Sequence, residues 1–310
     1  MGRTSGVRTL LAIGALWMGA VAAARPEPPG DRPPSIAELW QEPADLAARD
    51  LFCGPWGASN APDARATFTF KHDKTHGTSP GMTIVDPLGR TWHVKQGREG
   101  PPEVVVSRIL SAVGYHQPPV YFLPSFSIVK AGTVRMEPGG RFRLSVQGLT
   151  HRGHWIWEKS PFVGTPPYQG LLVILVILNS ADLKNVNNTV YDVTGHGDVR
   201  RWFVVRDLGT SLGAIKRFDP TPNNPQTFSR HRFLTGVVDG YVRFRYNAVH
   251  RDLLDHVTPA DVRWASQLLA GLSDGQWQDA FRAAGYSPTS AAPFLQRIRQ
   301  KIDEGRRVGS

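Results

Sequence analysis

The order of strand-like and helix-like segments in this 310-residue chain predicts an α+β fold built from two lobes. Residues 67–146 contain short runs of the kind that form strands, interrupted by one helical pattern. Residues 170–178 are almost wholly apolar, which is typical of a buried element. Helix-capping sequences at 258–261 and 273–276 then indicate that the last third of the chain is helical.

The first lobe is predicted to be rich in β-strands and to hold a single helix. That helix is expected over 103–113, because two prolines precede this segment and a glycine follows it. The doublet Gly139-Gly140 predicts the turn of a hairpin over 133–146. The other strands are predicted at 67–71, 82–86, 91–95, 120–122 and 126–129.

The second lobe is predicted to be mostly helical. On pattern alone, the apolar run at 170–178 fits either a buried strand or a buried helix. Residues 189–205 have the pattern of a hairpin with its turn at 194–198. Thr258 and Ser273 each begin a capping box, so a helix is expected after each of them. A final helix is predicted from the spacing of Phe294, Ile298 and Ile302.

The N-terminus carries the pattern of an export signal. Arg3 and Arg8 precede an apolar run at 9–21, and three alanines at 22–24 supply a cleavage site. The run is shorter than the roughly 20 apolar residues that a spanning helix needs, so cleavage near Ala24 and no stable membrane span are expected. An uncleaved N-terminal anchor is the alternative. The chain is therefore predicted to be periplasmic or extracellular.

The predicted organisation has four parts, and all four follow from these changes in composition. They are a signal peptide at 1–24, a Pro- and Gly-rich extension with one short helix at 25–66, the first lobe at 67–165 and the second lobe at 166–310.

Charge and cysteine content narrow the classes of partner. The formal net charge of +10 favours anionic partners such as a nucleotide or a phosphorylated compound. No zinc knuckle or aromatic RNA-binding signature is present, so nucleic acid is not expected as a partner. Cys53 is the only cysteine, which excludes an internal disulfide and, for an exported chain, suits a bacterial periplasm.

Two polar segments flank the predicted hairpin at 189–205. In the first, Asp-Leu-Lys-Asn-Val-Asn, Asp182 stands five residues before Asn187. The second, Arg-Asp-Leu-Gly at 206–209, contains Asp207. Side chains of these types suit phosphoryl transfer, in which one carboxylate accepts a hydroxyl proton while others hold a metal ion on the phosphates.

These segments resemble the catalytic loop and the metal-binding loop of the protein-kinase-like superfamily, in its atypical branch. That branch includes HipA-type toxin kinases, phosphoinositide kinases and secretory-pathway kinases. The match covers about 68–212 in motif order and is specific at 182–187 and 206–209. The chain as a whole also resembles a group of exported bacterial proteins. The resemblance implies a bilobal protein-kinase-like fold, an ATP cleft between the lobes, and Mg²⁺ or Mn²⁺ as the metal; it also implies a helix at 170–178.

The resemblance further implies roles for individual residues. Asp182 would be the catalytic base, and Lys184 would neutralise the transferred phosphoryl group. Asn187 and Asp207 would bind the metal ions. Lys95, at the end of the third predicted strand, would bind the nucleotide phosphates.

Two further sets of residues would support the nucleotide. Glu103, at the start of the predicted helix, would form an ion pair with Lys95, and Glu99 competes for that role. Gly77, Ser79 and Gly81 lie in a loop that could present backbone N–H groups to phosphate, although a plain hairpin loop fits the same residues.

The sequence departs from the kinase pattern in two places. Ser180-Ala181 stand before Asp182 in place of His-Arg, so regulation through a phosphorylated activation loop is not expected. No Ala-Pro-Glu element follows Asp207, which leaves a protein substrate in doubt.

The predicted function is an exported, ATP- and metal-dependent kinase that transfers the γ-phosphoryl group to a hydroxyl-bearing acceptor, for which an anionic compound is one option. Two alternatives remain open on the residues. One is a pseudokinase that binds a nucleotide or a protein without catalysis. The other is a nucleotidyltransferase on the same fold, because both reactions use the same metal ligands.

Overall fold

Five strands of the first half of the chain close into a small barrel. The computed structural model describes residue 2 and residues 32–75, 79–216 and 221–309. The barrel strands are β1 (Thr67–Asp73), β2 (Gly81–Val85), β3 (Thr91–Gln96), β4 (Val120–Lys130) and β5 (Thr133–Leu144). Their order is β1-β2-β3-β5-β4, and a short parallel pairing of β1 with β4 closes the ring. Aromatic side chains fill the interior, among them Phe68, Trp92, Phe126 and Phe142.

One helix, α1 (Gly100–Ala112), follows β3 and is buried along nearly its whole length. Pro101 and Pro102 occupy its first turn, where a missing backbone N–H costs nothing because those N–H groups have no partner within the helix. The helix places Glu103 in its first turn, next to the end of β3. The barrel and α1 together form the β-rich region with one helix that the sequence predicts.

The second half contains five α-helices and five short strands within the described residues. The strands are β6 (Leu149–Gly153), β7 (Asn188–Val193), β8 (Arg201–Val205), β9 (Leu234–Val238) and β10 (Tyr241–Phe244). The helices are α2 (Pro166–Ile177), α3 (Pro225–Arg230), α4 (Pro259–Ala270), α5 (Asp274–Arg282) and α6 (Pro288–Arg306). The α+β fold, with a mostly helical second half, is therefore confirmed.

The segment at 170–178, which the sequence pattern left between strand and helix, lies in helix α2. Ten residues in a row from Pro167 to Val176 are buried, because α4 and α6 pack against α2. A helix covered on all sides needs no polar face, which explains the continuous apolar run.

Both predicted capping boxes are present. Thr258 at the start of α4 and Ser273 at the start of α5 each accept a hydrogen bond from the backbone N–H three residues later. The side chains of Asp261 and Gln276 in turn each accept a hydrogen bond from the backbone N–H of the capping residue. These local signals fixed the starts of two helices correctly.

The predicted hairpin over 133–146 is wrong. This segment forms the single strand β5, which pairs with β4 on one side and with β3 on the other. At Gly139 and Gly140 the paired strands approach closely: a Cβ atom on either would lie within 2.6 Å of a backbone oxygen of a neighbouring strand. The strands predicted at 120–122 and 126–129 are likewise one strand, β4.

The extension before the barrel contains less helix than predicted. One 3-10 turn, Ile36–Glu38, is its only helical element before residue 50 among the described residues. Trp40 nevertheless anchors this segment, because its indole Nε1–H donates to Val113 O at 2.7 Å, at the end of α1. Gln276 Nε2 donates to Leu46 O and Arg49 O at 2.8 and 2.9 Å, which ties the extension to α5.

Contacts divide the chain into a unit of residues 1–33 and a unit of residues 34–310, and every element named above lies in the second. The predicted boundaries at 66 and 165 stay predictions. The predicted signal peptide lies outside the described residues, apart from Gly2. Among the helices of the described part of the chain, none is both long enough and apolar enough to cross a membrane.

Candidate active site

Lys95 lies at the centre of a cluster of carboxylates. It is the penultimate residue of β3, and 4 % of its side chain is exposed. Its Nζ is 2.5 Å from Asp207 Oδ1, 2.7 Å from Glu99 Oε2 and 3.4 Å from Glu103 Oε2. Burial alone would lower the pKa of Lys95, but the three carboxylates outweigh burial and raise it above its ordinary value. Lys95 is therefore a fixed cation at neutral pH.

Glu103 connects the helix to two strands. Its Oε2 faces Lys95, and its Oε1 lies 2.9 Å from Nε of Arg141 on β5. Lys95 and Arg141 are direct cross-strand neighbours on β3 and β5, which brings both cations to one carboxylate. The ion pair that the sequence predicted between Lys95 and Glu103 is formed, and Glu99 joins it.

Asp207 follows strand β8 and has a left-handed backbone, with φ of 58°. Asp is one of the few non-glycine residues that tolerate this region, and such residues are concentrated at functional sites. Burial would raise the pKa of Asp207, yet the charge of Lys95 and its hydrogen bond lower it. The carboxylate is thus ionised, and 51 % of the side chain remains exposed to the cleft.

Gly209 is required by a close approach. A Cβ atom there would lie 2.6 Å from Cβ of Glu99 and 2.8 Å from its backbone oxygen. The left-handed residue is Asp207 itself, whereas the missing side chain of Gly209 lets Glu99 reach Lys95.

The segment at 182–187 lies opposite Lys95, directly after α2. Lys184 Nζ is 2.9 Å from Asp182 Oδ1, so these two predicted catalytic residues form an ion pair. Asn187 donates its amide Nδ2–H to Asp182 O at 2.9 Å. This bond uses the nitrogen of Asn187 and leaves its amide oxygen as the atom that can bind a cation.

Backbone hydrogen bonds fix the two loops against each other. Ala181 N–H donates to Thr210 O at 3.0 Å, and Arg206 N–H donates to Asn187 O at 2.9 Å. Because each bond joins a residue next to Asp182 or Asp207 to the opposite loop, the two carboxylates are held on a common frame. The hairpin of β7 and β8 connects the loops, as the sequence predicts.

A buried lysine supports this frame from behind. Lys301 of α6 has no exposed surface, and its Nζ donates to Ile177 O at 2.8 Å and to Asn179 Oδ1 at 2.6 Å. Asn179 in turn donates its Nδ2–H to Gly213 O at 2.6 Å. The last helix therefore holds both the end of α2 and the chain after Asp207.

The loops and β3 enclose a cleft of about 470 Å³. Its charged and amide side chains are Lys74, Lys95, Glu99, Asp182, Lys184, Asn187, Asp207 and Lys216. Four lysines and three carboxylates thus line one cleft, a combination that can bind a metal-complexed polyphosphate.

The predicted phosphate loop is only partly described. Gly77 lies outside the described residues. Ser79 lines the cleft, and its hydroxyl donates to Glu99 Oε2 at 2.7 Å. Gly81 belongs to β2 and pairs with Lys95, and a Cβ atom there would lie 2.4 Å from Val94 O. The need for glycine at 81 thus comes from strand packing, and its role in phosphate binding stays a prediction.

The oxygen ligands fit Mg²⁺ or Mn²⁺. Asp207 can supply a carboxylate oxygen and Asn187 an amide oxygen, and both side chains line the cleft. No group of three or more His, Cys, Asp or Glu that could hold a metal ion occurs among the described residues. A cation at this site would therefore complete its coordination with phosphate oxygens and water, as Mg²⁺ usually does.

Sequence reasoning missed several residues of the site. Arg141 was not considered, because its place beside Lys95 depends on the register between β3 and β5. Lys301 and Asn179 were missed for a similar reason, since their contact spans 122 residues of sequence. Lys74 has no motif around it that would have identified it.

Comparisons with known proteins give distant structural likenesses. A scan against protein-family models found no match, and a search of curated proteins found no significant match. The proinflammatory kinase CtkA of Helicobacter pylori is similar to this chain at 10 % identity and a TM-score of 0.44, covering 78 % of this chain and 93 % of its own.

A second likeness is to the Rio2 kinase of Chaetomium thermophilum, solved as an ADP/Mg²⁺–phosphoaspartate complex. It has 12 % identity and a TM-score of 0.30, and the match covers 77 % of this chain and 72 % of that one. Within this chain, the candidate site is built from three features. These are the closed barrel, the helix whose carboxylate meets the lysine of β3, and the two polar loops on either side of a hairpin.

Proposed function

We propose that this chain is a kinase-type phosphotransferase that uses ATP with Mg²⁺ or Mn²⁺. The observation that supports it best is the placement of Lys95 between Glu103 and Asp207, with Asp182 and Asn187 in the same cleft. Phosphoryl transfer depends mainly on positioning and charge neutralisation, and these residues supply both.

The proposed reaction assigns one task to each side chain. Lys95 binds phosphate oxygens of the nucleotide, while Asp207 and Asn187 would hold the metal ion. The metal supplies positive charge that offsets the charge of the phosphates. The acceptor hydroxyl oxygen bonds to the γ-phosphorus as the bond to the β–γ bridging oxygen breaks. The hydroxyl proton passes to the carboxylate of Asp182, and ADP leaves with the electron pair.

Lys184 is placed to change partners during this reaction. In the structure its Nζ contacts Asp182, and more than half of its side chain is exposed. An exposed lysine can move toward an incoming phosphate at little cost, because its long side chain is not packed. Its departure frees Asp182 to accept the hydroxyl proton.

A titration of the purified protein with ATP tests the proposal. We expect ATP with Mg²⁺ or Mn²⁺ to raise the unfolding temperature above its value with ATP alone, because a ligand of the folded state stabilises it by about 2.7 kcal/mol at 100 times its dissociation constant. Asp207→Asn should abolish that rise. Asp192→Asn is the matched control, since Asp192 contacts Arg152 and does not line the cleft. No rise with any nucleotide and metal would refute the proposal.

The ion pair of Asp182 with Lys184 favours a second candidate, a pseudokinase that binds nucleotide without transfer. Incubation with ATP labelled at the γ-phosphate or at the α-phosphate separates the alternatives. Release or transfer of the γ-label supports the kinase. Transfer of the α-label supports a nucleotidyltransferase, and metal-dependent binding without either supports the pseudokinase.

Export is part of the proposal and rests on the sequence of residues 1–24. We expect the mature protein to begin near residue 25, and intact-mass measurement of protein purified from a bacterial periplasm would test this. A protein that retains Met1 and stays in the cytoplasm would refute export.

A further inference from the structure

A hollow next to the cleft is lined by basic side chains. It has a volume of about 240 Å³ and lies against strands β1, β2, β3 and β5. Its titratable residues are His72, Lys74, His93, Lys95, Arg141 and Arg143, and none of its lining residues is acidic. Lys74 and Lys95 also line the cleft, so this basic hollow adjoins the candidate active site.

The strand register explains why these side chains lie together. His93 is the cross-strand partner of Arg143, and two residues further along Lys95 is the partner of Arg141. Residues two apart on a strand point to the same face of a sheet. Arg143 and His93 therefore extend the surface that carries Lys95.

The positive charges of the basic hollow differ in how they are balanced. Lys95 has three carboxylates, and Arg141 has Glu103 at 2.9 Å. Arg143 and Lys74 form no ion pair with a carboxylate among the described residues. An arginine on a partly buried surface without a counter-charge is an anion-binding group, because its fork of N–H donors is unused.

Arg206 adds to the positive charge beside Arg143. It directly precedes Asp207, and both arginines line a narrow gap next to Glu103 and Asp207. Its Nη1–H donates to the hydroxyl of Tyr191 at 3.0 Å, which is a neutral partner, and its Nε–H is buried without a hydrogen bond.

The electrostatics of His93 agree with an excess of positive charge. Burial first, and then the charges of Arg143 and Arg141, lower the pKa of His93 to about 4. The imidazole is neutral at physiological pH, and its Nδ1 and Nε2 lie 3.3 and 3.1 Å from Thr83 Oγ1 and Ser145 Oγ. Both ring nitrogens of His93 are thus occupied by protein hydroxyl groups, and the hollow presents mainly cationic groups to a ligand.

We propose that the basic hollow is a phosphate-binding subsite that works without a metal ion and adjoins the active-site cleft. This proposal rests on the proposed function, because it takes the neighbouring cleft to be the nucleotide site. A ligand with two phosphate-bearing ends can then occupy the basic hollow and the cleft together. The phosphate can belong to the nucleotide or to a phosphorylated acceptor, and the chemistry of recognition is the same for both.

Binding of pyrophosphate in the presence of EDTA tests the subsite directly. We expect calorimetry to show binding to the unmodified protein that weakens as salt is raised. Arg143→Gln should weaken it by about tenfold or more, because charge-assisted hydrogen bonds to the anion are lost. Arg135→Gln is the matched control, since Arg135 is an exposed arginine at the other end of β5. It should leave the affinity unchanged.

Two further variants separate binding from folding. Arg143→Lys keeps the charge and should retain part of the affinity. Lys74→Gln changes an exposed residue and should weaken pyrophosphate binding without altering the unfolding temperature of the free protein. Equal affinities of the unmodified protein, Arg143→Gln and Lys74→Gln would overturn the subsite, as would the absence of any pyrophosphate binding.

Competition identifies the source of the phosphate. If ATP with Mg²⁺ displaces glycerol 3-phosphate in an Arg143-dependent manner, the subsite takes a phosphate of the nucleotide. If glycerol 3-phosphate still binds at saturating ATP, it takes a phosphorylated acceptor. The subsite and the proposed function can fail separately. If ATP and metal give no Asp207-dependent stabilisation, metal-free pyrophosphate binding that depends on Arg143 still supports the subsite. If Arg143→Gln leaves pyrophosphate affinity unchanged, metal-dependent ATP binding still supports the proposed function.

Discussion

Lys95 joins the two sides of the cleft through three ion pairs. Two of its carboxylates, Glu99 and Glu103, come from the region around α1, and the third, Asp207, comes from the loop after β8. A lysine that binds a nucleotide phosphate must be held in place and must stay charged, and both conditions are met here. The same contacts make Lys95 important for stability as well as for binding.

Replacing Lys95 by methionine should lower both activity and stability. The substitution leaves the carboxylates of Glu99 and Asp207 without a cation, while Glu103 keeps Arg141. Because one member of a buried charged cluster is removed, we expect the free energy of unfolding to fall by about 2 kcal/mol. Urea unfolding measures this loss. Lys95→Arg should regain stability but not phosphoryl transfer, since a guanidinium does not fit the position of a single ammonium. Unchanged stability of Lys95→Met would show that the cluster is not energetically coupled.

At the scale of elements, local signals predicted what local physics controls. The helices after Thr258 and Ser273 were found because a capping box is formed within four residues. Gly139 and Gly140 were misread as a turn, because glycine is required both by turns and where the backbones of paired strands approach closely. One sequence cannot separate these causes, since the atoms that exclude a side chain at 139 belong to Leu123 and Pro124.

The candidate site shows the same division. The spacing of Asp182 and Asn187 and the position of Asp207 are local patterns, and the structure brings these residues into one cleft. Arg141 could not be predicted as the partner of Glu103, because that contact depends on which residues of β3 and β5 face each other. The chemical roles assigned to Asp182, Asn187 and Asp207 stay predictions.

The contact of α2 with α4 gives a prediction at the scale of helix packing. Gly170→Ala should destabilise the protein, although alanine is the better helix former by about 1 kcal/mol. The added Cβ would lie 2.1 Å from the ring of Trp264, which also packs edge-on against Trp40. Overpacking of this kind costs about 1–3 kcal/mol, so the steric term exceeds the helix propensity.

Gly275→Ala is the matched control for this helix prediction. Gly275 lies in the first turn of α5, where a Cβ atom would meet nothing closer than Ser273 Oγ at 3.9 Å. We expect this variant to be as stable as the unmodified protein or slightly more stable. Thermal unfolding of both variants decides the matter, and a Gly170→Ala protein that melts at or above the unmodified one would contradict the packing argument.

At the scale of the whole unit of residues 34–310, three buried or partly buried histidines couple stability to pH. Burial is the main cause that lowers the pKa of His93, His116 and His231 to about 4, from an ordinary value of 6.5. They lie on the outer face of the barrel, after α1 and after α3. Protonation of any one of them therefore affects a different region of the fold.

The free energy of unfolding should fall as the pH drops from 6.5 to 4. In that window the unfolded chain binds protons at these histidines and the folded chain does not, so acid favours unfolding. One pKa unit corresponds to about 1.4 kcal/mol, so a shift from 6.5 to about 4 is worth up to about 3.5 kcal/mol at each histidine. His116 tests the mechanism, because its ring stacks on Trp202 at 4.7 Å and its Nε2 lies 2.7 Å from Ala37 O. His116→Gln should reduce the slope of the free energy of unfolding against pH, measured by urea unfolding between pH 4 and 7. His256→Gln changes an exposed histidine and serves as the control. An identical slope in the His116 variant and the unmodified protein would mean that the buried imidazole is not what acid titrates.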